Sequence, residues 1–126
     1  MPTVYIIFAF ETTLSSRSYV PLVLELRKKG YRIVLIFFYL SSISIAFQRV
    51  RTRVLQGGHD VPKEVIQRRY KRGLINLHSL YLPVADQWWI YDNSKKVPQL
   101  VVQGAKEFAV KVFLPDLWKA IQENKR

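Results

Sequence analysis

The sequence predicts an α/β domain in which a mostly parallel sheet is flanked by helices. Two uncharged runs carry this prediction, VYIIFAF at residues 4–10 and IVLIFFYL at residues 33–40. Both are rich in β-branched and aromatic residues, which is typical of strands that are buried on both faces. Segments with apolar residues at helical spacing separate and follow these runs. Because strands alternate with helices, the pattern favours parallel strands joined by helical crossovers.

Two helices in the first half of the chain have recognisable ends. The first is predicted over residues 19–29, where two lysines precede Gly30 and give a good stop signal. The second follows the strand at 33–40, and either Ser41 or Ser42 can cap its first turn. The glycine pair at 57–58 ends it.

The second half continues with a helix, a strand and shorter elements. Asp60 is the predicted cap of the third helix, with Pro62 in its first turn, and Pro83 closes that element. The run QWWIY at 87–91 predicts a strand whose adjacent tryptophans face opposite sides, both in the core. The remaining expectations are short strands at 100–103 and 108–112 and a helix at 114–124.

Composition restricts the class of protein and of site. The 126 residues are enough for one domain, taken here as 1–126, and 49% of them are hydrophobic. The net charge of +11 favours polyanionic partners. With no cysteine, the chain can form neither a disulfide nor a thiolate metal site, and no histidine pair has ligand spacing. No metal site is expected.

The sequence predicts no membrane segment and a cytoplasmic location. Residues 1–10 lack the basic start and the cleavage site of a signal peptide. The uncharged stretch at 33–47 is interrupted by serines and is shorter than the roughly 20 apolar residues that a spanning helix needs.

The most basic part of the chain is residues 49–72, RVRTRVLQGGHDVPKEVIQRRYKR. Eight Lys or Arg side chains there flank one polar turn, and they lie on the second and third predicted helices. Most are arginines, whose planar fork of donors suits phosphate oxygens. One interpretation is therefore a phosphate clamp that closes as a lid. The alternative is a pair of solvated helix faces.

Polar turns follow three of the predicted strands, at residues 11–13, 41–42 and 92–94. Ligands of parallel sheets bind beyond the carboxyl ends of the strands, where these turns would lie. Glu11 is the only acid in the first 24 residues and could bind a substrate hydroxyl or act as a base. The alternative is a cluster that caps the first helix.

Three segments together resemble the zeta-toxin-like P-loop kinases. FAFETTLSSRSY at 8–19 resembles their substrate-side motif, the stretch from 49 to 77 looks like their lid, and YLPVADQWWIYDNS at 81–94 looks like the strand and turn that follow. The resemblance covers roughly residues 1–103. Zeta toxins phosphorylate the sugar nucleotide UDP-N-acetylglucosamine with ATP and Mg²⁺, and they are held by antitoxin proteins.

The resemblance assigns roles to nine residues by position. It implies that the sugar nucleotide contacts the 11–13 turn, that lid arginines contact phosphate, and that the 92–93 turn lies near the nucleotide base. The substrate-binding residues would be Glu11, Thr12 and Thr13. The best candidates for phosphate contacts are Arg53 and Arg69, followed by Arg49 and Arg68. The nucleotide-binding residues would be Asp92 and Asn93.

One part of the family's pattern is missing. Residues 1–7 resemble its first strand, but the phosphate-binding loop G-x-x-x-x-G-K-[ST] occurs nowhere in the chain. The chain resembles a family member with an internal deletion between about residues 7 and 8. That loop cradles the phosphates and holds Mg²⁺. The sequence therefore predicts weak ATP binding and no kinase activity.

The sequence leads to three hypotheses about the function. The first is an inactive zeta-toxin-like kinase, and the second is a basic module that binds nucleic acid or another polyanion without catalysis. The third is an inert domain that an antitoxin holds. A deletion would also uncover an apolar sheet face, so self-association is expected.

Overall fold

Apolar runs with high strand propensity form the sheet, and amphipathic segments form the helices that pack on it. The computed structural model describes Thr12 and residues 14–123. The predicted strand at 4–10 and the deletion between residues 7 and 8 lie outside these residues. The helices are α1 Tyr19–Lys28, α2 Ile43–Leu55, α3 Lys63–Asn76 and α4 Pro115–Glu123. The strands are β1 Val34–Tyr39, β2 Gln87–Asp92, β3 Gln99–Ala105 and β4 Phe108–Val112. A π-helical turn, Leu77–Tyr81, and a 3₁₀ turn, Leu82–Val84, continue α3.

The four described strands form one sheet in the order β1-β2-β3-β4. Only β1 and β2 are parallel, while β2 with β3 and β3 with β4 are antiparallel. The expected mostly parallel sheet is therefore wrong for the described strands, although the α/β class holds. Residues 93–98 and 106–107 are short turns, and such turns can join only antiparallel neighbours. The long crossover through α2 and α3 allows the one parallel pair.

The parallel pair is fixed at both ends. Before β2, the Asp86 carboxylate accepts a 2.7 Å hydrogen bond from the Ile33 N–H and lies 3.5 Å from the Arg27 guanidinium. After β2, the Asn93 N–H donates to the Tyr39 carbonyl at 2.8 Å. These contacts set the register in which Val34 pairs with Gln87.

The two faces of the sheet differ. On one face, Leu35, Phe37 and Tyr39 of β1 join the core with residues of α1, α3 and α4. We call this the covered face. Side chains alternate along a strand, so the opposite face presents the other residues of β1 and their neighbours in register. This open face is formed by Val34, Ile36 and Phe38 of β1, Gln87, Trp89 and Tyr91 of β2, and Leu100, Gln103 and Ala105 of β3.

The helix caps are predicted correctly at α2 and wrongly at α3. The Ser42 hydroxyl accepts from the Ile45 N–H at 3.4 Å, as expected for a cap. Asp60 does not cap α3, because its carboxylate accepts from the adjacent Val61 N–H at 2.9 Å and the helix begins only at Lys63. Pro62 immediately precedes that first residue.

The two adjacent tryptophans face opposite sides, as predicted, but only one is in the core. Trp88 lies on the covered face, where its ring centroid is 5.9 Å from that of Trp118. Trp89 is half-buried on the open face and donates to the Gln103 side chain at 3.1 Å. The expectation that Trp89 is also a core residue is wrong, because it is only half-buried and does not belong to the core cluster or to the side chains packed against it.

Gly104 is required by the position of Trp88. The indole of Trp88 lies against Gly104, and a Cβ at that position would approach three indole atoms more closely than 3.0 Å. We expect Gly104→Ala to lower the free energy of unfolding by about 2 kcal/mol, because overpacking displaces the ring. Urea unfolding of the variant measures this effect.

A double mutant tests the cause of that loss. In a Trp88→Leu background, Gly104→Ala should cost clearly less, since the smaller side chain leaves room for the methyl group. An equal cost in both backgrounds would show that the effect comes from the strand backbone and not from the indole.

Candidate functional site

Polar turns of β1 and β2 meet at one edge of the sheet. Because the two strands are parallel, their carboxyl ends lie side by side, and the Ser41 N–H donates to the Ser94 hydroxyl at 2.8 Å. The 41–42 and 92–94 turns both lie beyond the carboxyl ends of parallel strands, as expected. With their neighbours they form what we call the strand-end cluster. Its members are Tyr39, Ser41, Arg49, Tyr70, Asp92, Asn93 and Ser94.

Asp92 is the buried carboxylate of the strand-end cluster, with 6% of its surface exposed. One carboxylate oxygen accepts two hydrogen bonds from Ser94, from the hydroxyl at 2.5 Å and from the backbone N–H at 3.1 Å. The carboxylate therefore closes the turn after β2, a role that aspartate commonly takes. This contact compensates part of the cost of burying the charge.

Arg49 connects helix α2 to the end of β2. Its guanidinium donates a 2.7 Å hydrogen bond to the Asn93 carbonyl, and the side chain is half-buried. Hydrogen bonds from a charged donor are stronger than neutral ones. Arg49 thus holds the middle of α2 against the sheet edge, and part of its donor capacity is used by the protein itself.

Tyr70 connects helix α3 to the end of β1. Its hydroxyl donates to the Leu40 carbonyl at 2.6 Å and is also hydrogen-bonded to the Tyr39 hydroxyl. Burial, and next the nearby Tyr39, raise the pKa of Tyr70 to about 12. Burial also raises the pKa of Tyr39, a hydrogen bond with Tyr70 opposes this, and the charge of Asp92 adds to it. Both hydroxyls stay protonated at neutral pH.

Helices α2 and α3 with the turn between them, residues 43–76, form what we call the basic hairpin. Seven of its eight cationic side chains are exposed, the exception being the half-buried Arg49. Within the described residues the one ion pair is between Arg27 and Asp86, so no carboxylate neutralises these seven. The exposed set is Arg51, Arg53, Lys63, Arg68, Arg69, Lys71 and Arg72.

The residues assigned from the resemblance do not all come together. Glu11 and Thr13 lie outside the described residues. Thr12 is exposed, and its hydroxyl accepts from the Leu14 N–H at 3.1 Å. The Leu14 carbonyl accepts in turn from Asn76 at 2.7 Å. Asn76 lies six residues beyond Tyr70 on α3, which corresponds to about 9 Å along the helix.

The remaining assigned residues fall into two groups. Arg49, Asp92 and Asn93 belong to the strand-end cluster and are engaged with each other or with Ser94. Arg53, Arg68 and Arg69 are exposed on the basic hairpin and, among the described residues, make no hydrogen bond or ion pair to that cluster.

The connection between β1 and α2 does not fit the phosphates of Mg·ATP. The connection between β1 and α2 is only residues 40–42, contains no glycine, and has its Ser41 N–H occupied by Ser94. A phosphate-binding loop needs several free backbone N–H groups, which this connection does not offer. The loop of the resembled family follows its first strand, and residues 1–7, which resemble that strand, lie outside the described residues. Across the described part of the chain, no three His, Asp or Glu side chains cluster as metal ligands would. Nor does any helix there combine the length and apolarity of a membrane span.

Sequence reasoning missed the two tyrosines of the strand-end cluster. In the sequence, Tyr70 occurs at helical spacing among the apolar residues of its helix, and Tyr39 lies in the apolar run at 33–40. The signal that could have found them is the hydroxyl itself, because a buried tyrosine usually has a hydrogen-bond partner. Where two tyrosines are expected in one core, their hydroxyl groups need hydrogen-bond partners there, and a polar contact between their two elements is a reasonable prediction.

No family model, no curated protein sequence and no solved structure matches this chain. The resemblance to zeta-toxin-like kinases therefore stays a prediction from the sequence motifs.

Removal of the Tyr70 hydroxyl should weaken the attachment of the basic hairpin. We expect Tyr70→Phe to lower the free energy of unfolding by about 1 kcal/mol at pH 7, because the Leu40 carbonyl and the Tyr39 hydroxyl lose their partner. Chemical denaturation measures the change. Tyr91→Phe, on the open face, is the matched control and should change stability by less than about 0.5 kcal/mol.

The same variant gives a pH test. Since the folded pKa of Tyr70 is raised from 10.0 to about 12, its contribution is complete below pH 10 and is lost as the pH rises through 12. Stability of the wild type should therefore fall more steeply than that of Tyr70→Phe across this interval. Parallel curves for the two proteins would contradict the assignment.

Proposed function

We propose that this protein binds phosphate groups on the basic hairpin without transferring them. The observation that carries the proposal is the set of seven exposed cations for which the described residues provide no carboxylate partner. Concentrated positive charge with unused guanidinium donors is the chemistry that attracts phosphate. Two hydrogen bonds, donated by Arg49 and Tyr70, hold the hairpin on the sheet and so fix the position of these cations.

The resemblance supports a sugar nucleotide of the UDP-N-acetylglucosamine class as the ligand. In this proposal Arg53 and Arg69 bind phosphate, with Arg68 beside Arg69. Arg49 acts as a positioning residue, since its guanidinium already holds the Asn93 carbonyl. Glu11 and Thr13 complete the substrate side. Phosphoryl transfer is not part of the proposal, because the chain has no Gly-Lys-Ser or Gly-Lys-Thr loop to hold ATP and Mg²⁺.

The second candidate is nucleic acid. One observation favours it: the cations are spread over two exposed helix surfaces, whereas a single phosphate is usually enclosed by a few converging groups. A polyanion can contact many exposed cations at once and needs no pocket. The two candidates differ in how binding responds to salt.

A paired substitution tests the proposed ligand. We expect Arg53→Gln with Arg69→Gln to weaken UDP-N-acetylglucosamine binding at least about tenfold, since two charge-assisted contacts are lost. Titration calorimetry measures the affinity. Lys106→Gln with Lys119→Gln removes the same charge from exposed positions outside the hairpin and should leave it unchanged. Equal affinity of both double variants would contradict the proposal.

Mg·ATP provides the corresponding test of activity. A bound ligand raises the midpoint of thermal unfolding. We expect no rise with Mg·ATP and no phosphorylated sugar nucleotide by mass spectrometry. A rise, or product, would show that the chain has a nucleotide site that its motifs do not reveal.

Salt separates the second candidate from the first. If nucleic acid is the ligand, oligonucleotide affinity should fall by orders of magnitude between about 50 and 200 mM salt, because counterion release drives such binding. Fluorescence anisotropy measures it, and the Arg53→Gln, Arg69→Gln variant should show a smaller slope. Absence of oligonucleotide binding at the lower salt concentration would exclude this candidate.

A further inference from the structure

The open face of the sheet is an apolar surface without cover from the described helices. On β1, the exposed fractions are 49% for Val34, 53% for Ile36 and 52% for Phe38. Strand neighbours cover part of any side chain on a sheet, so these fractions correspond to an uncovered face. Sheets with one parallel pair and helices on one side normally bury such residues against a second layer.

The polar groups on this face are satisfied or lie at its margin. Trp89 donates to Gln103, and the rings of Phe38 and Tyr91 stack with centroids 5.6 Å apart. The described β1 and β2 residues that face this side carry no charge, and Lys111, in register with Gln103, is the charge at the β4 edge. The Arg32 guanidinium donates to the Gln87 side chain at 3.3 Å and is a second charge at the margin. An exposed surface that is apolar and aromatic at its centre marks an interaction site.

We propose that the open face binds the open face of a second copy of this chain. Two such faces would pack as aligned sheets about 10 Å apart and related by a twofold axis. Each face would then supply the missing apolar layer of the other. The aromatic side chains Phe38, Trp89 and Tyr91 would form the centre of the contact, as aromatic residues do in protein interfaces.

Charge favours a second copy over a charged partner. The chain has a net charge of +11, so an unrelated partner selected by charge would be acidic. Acidic side chains laid on Val34, Ile36 and Phe38 would be desolvated without a cation beside them, which is costly. An identical open face brings no charge to its centre.

The area of the open face determines the affinity that we expect for the dimer. Four strands about 4.8 Å apart and six residues long cover roughly 20 by 20 Å, about 400 Å² on each copy, which is about half of what each partner buries in a standard specific interface and is typical of weak contacts. Repulsion between two chains of net charge +11 weakens the contact further at low salt. The dimer should therefore be weak, with a micromolar dissociation constant.

Salt should affect this contact and the proposed ligand binding in opposite directions. Added salt screens the repulsion between like-charged copies and strengthens the dimer. It weakens binding of phosphate groups to the basic hairpin. Substitutions of Arg53 and Arg69 should leave the dimer unaffected or slightly stronger, so failure of one proposal is distinguishable from failure of the other.

Sedimentation equilibrium of the full chain over a range of concentrations tests the proposal. We expect the wild type to dimerise, and Ile36→Glu to weaken the dimer by about 100-fold, because the symmetric contact would bury two carboxylates. Val97→Glu makes a similar change at a turn residue that is 73% exposed and lies off the face, and should dimerise like the wild type. Circular dichroism checks that each variant is folded.

A second variant controls for the effect that the Ile36→Glu substitution has on the stability of strand β1 itself. Ile36→Thr keeps the β-branched shape and should weaken the dimer by about tenfold. A wild type that is monomeric at about 500 μM would overturn the proposal, because a micromolar dimer is well populated there. Equal dimerisation of folded wild type, Ile36→Glu and Ile36→Thr would also overturn it.

Discussion

The parallel pairing of β1 with β2 is the constraint on which the rest of this structure depends. It is held by Asp86 at one end and by the Asn93 N–H at the other. Because both strands run in the same direction, the chain must return through a long connection, and α2 and α3 form it. The crossover that this pair requires is also the segment that carries the basic hairpin.

The basic hairpin is attached to the sheet at two points, which limits its movement as a lid. Arg49 fastens α2 to β2, and Tyr70 fastens α3 to β1. A lid that closes on a phosphate must be free to swing, whereas these contacts hold the two helices against the sheet. Cations at fixed positions bind an anion with less loss of conformational freedom. The geometry is thus better suited to holding a ligand than to closing on one.

The sequence predicted local features better than the arrangement of strands. Apolar runs and their flanking residues placed β1, β2 and the cap at Ser42, because these depend on nearby residues. The mostly parallel sheet was wrong, since strand direction is decided by the connections, and the short turns after β2 and β3 reverse the chain.

In the candidate site, too, some features could be predicted from the sequence and others could not. The polar turns that meet at the sheet edge could be predicted, because the ends of parallel strands coincide. The roles of Tyr39 and Tyr70 could not, since each hydroxyl finds its partner on an element distant in sequence. Nor does the sequence show that Arg49 is bound to a backbone carbonyl while Arg53 is exposed.

The uneven sequence separation of the strand pairs has a consequence for how the chain folds. The contacts between β2, β3 and β4 close across short turns, while contacts between the ends of β1 and β2 join residues 53 positions apart. Closing the longer loop costs more chain entropy before any contact compensates it. The antiparallel meander should therefore assemble early, and docking of β1 should be the late step that limits the folding rate.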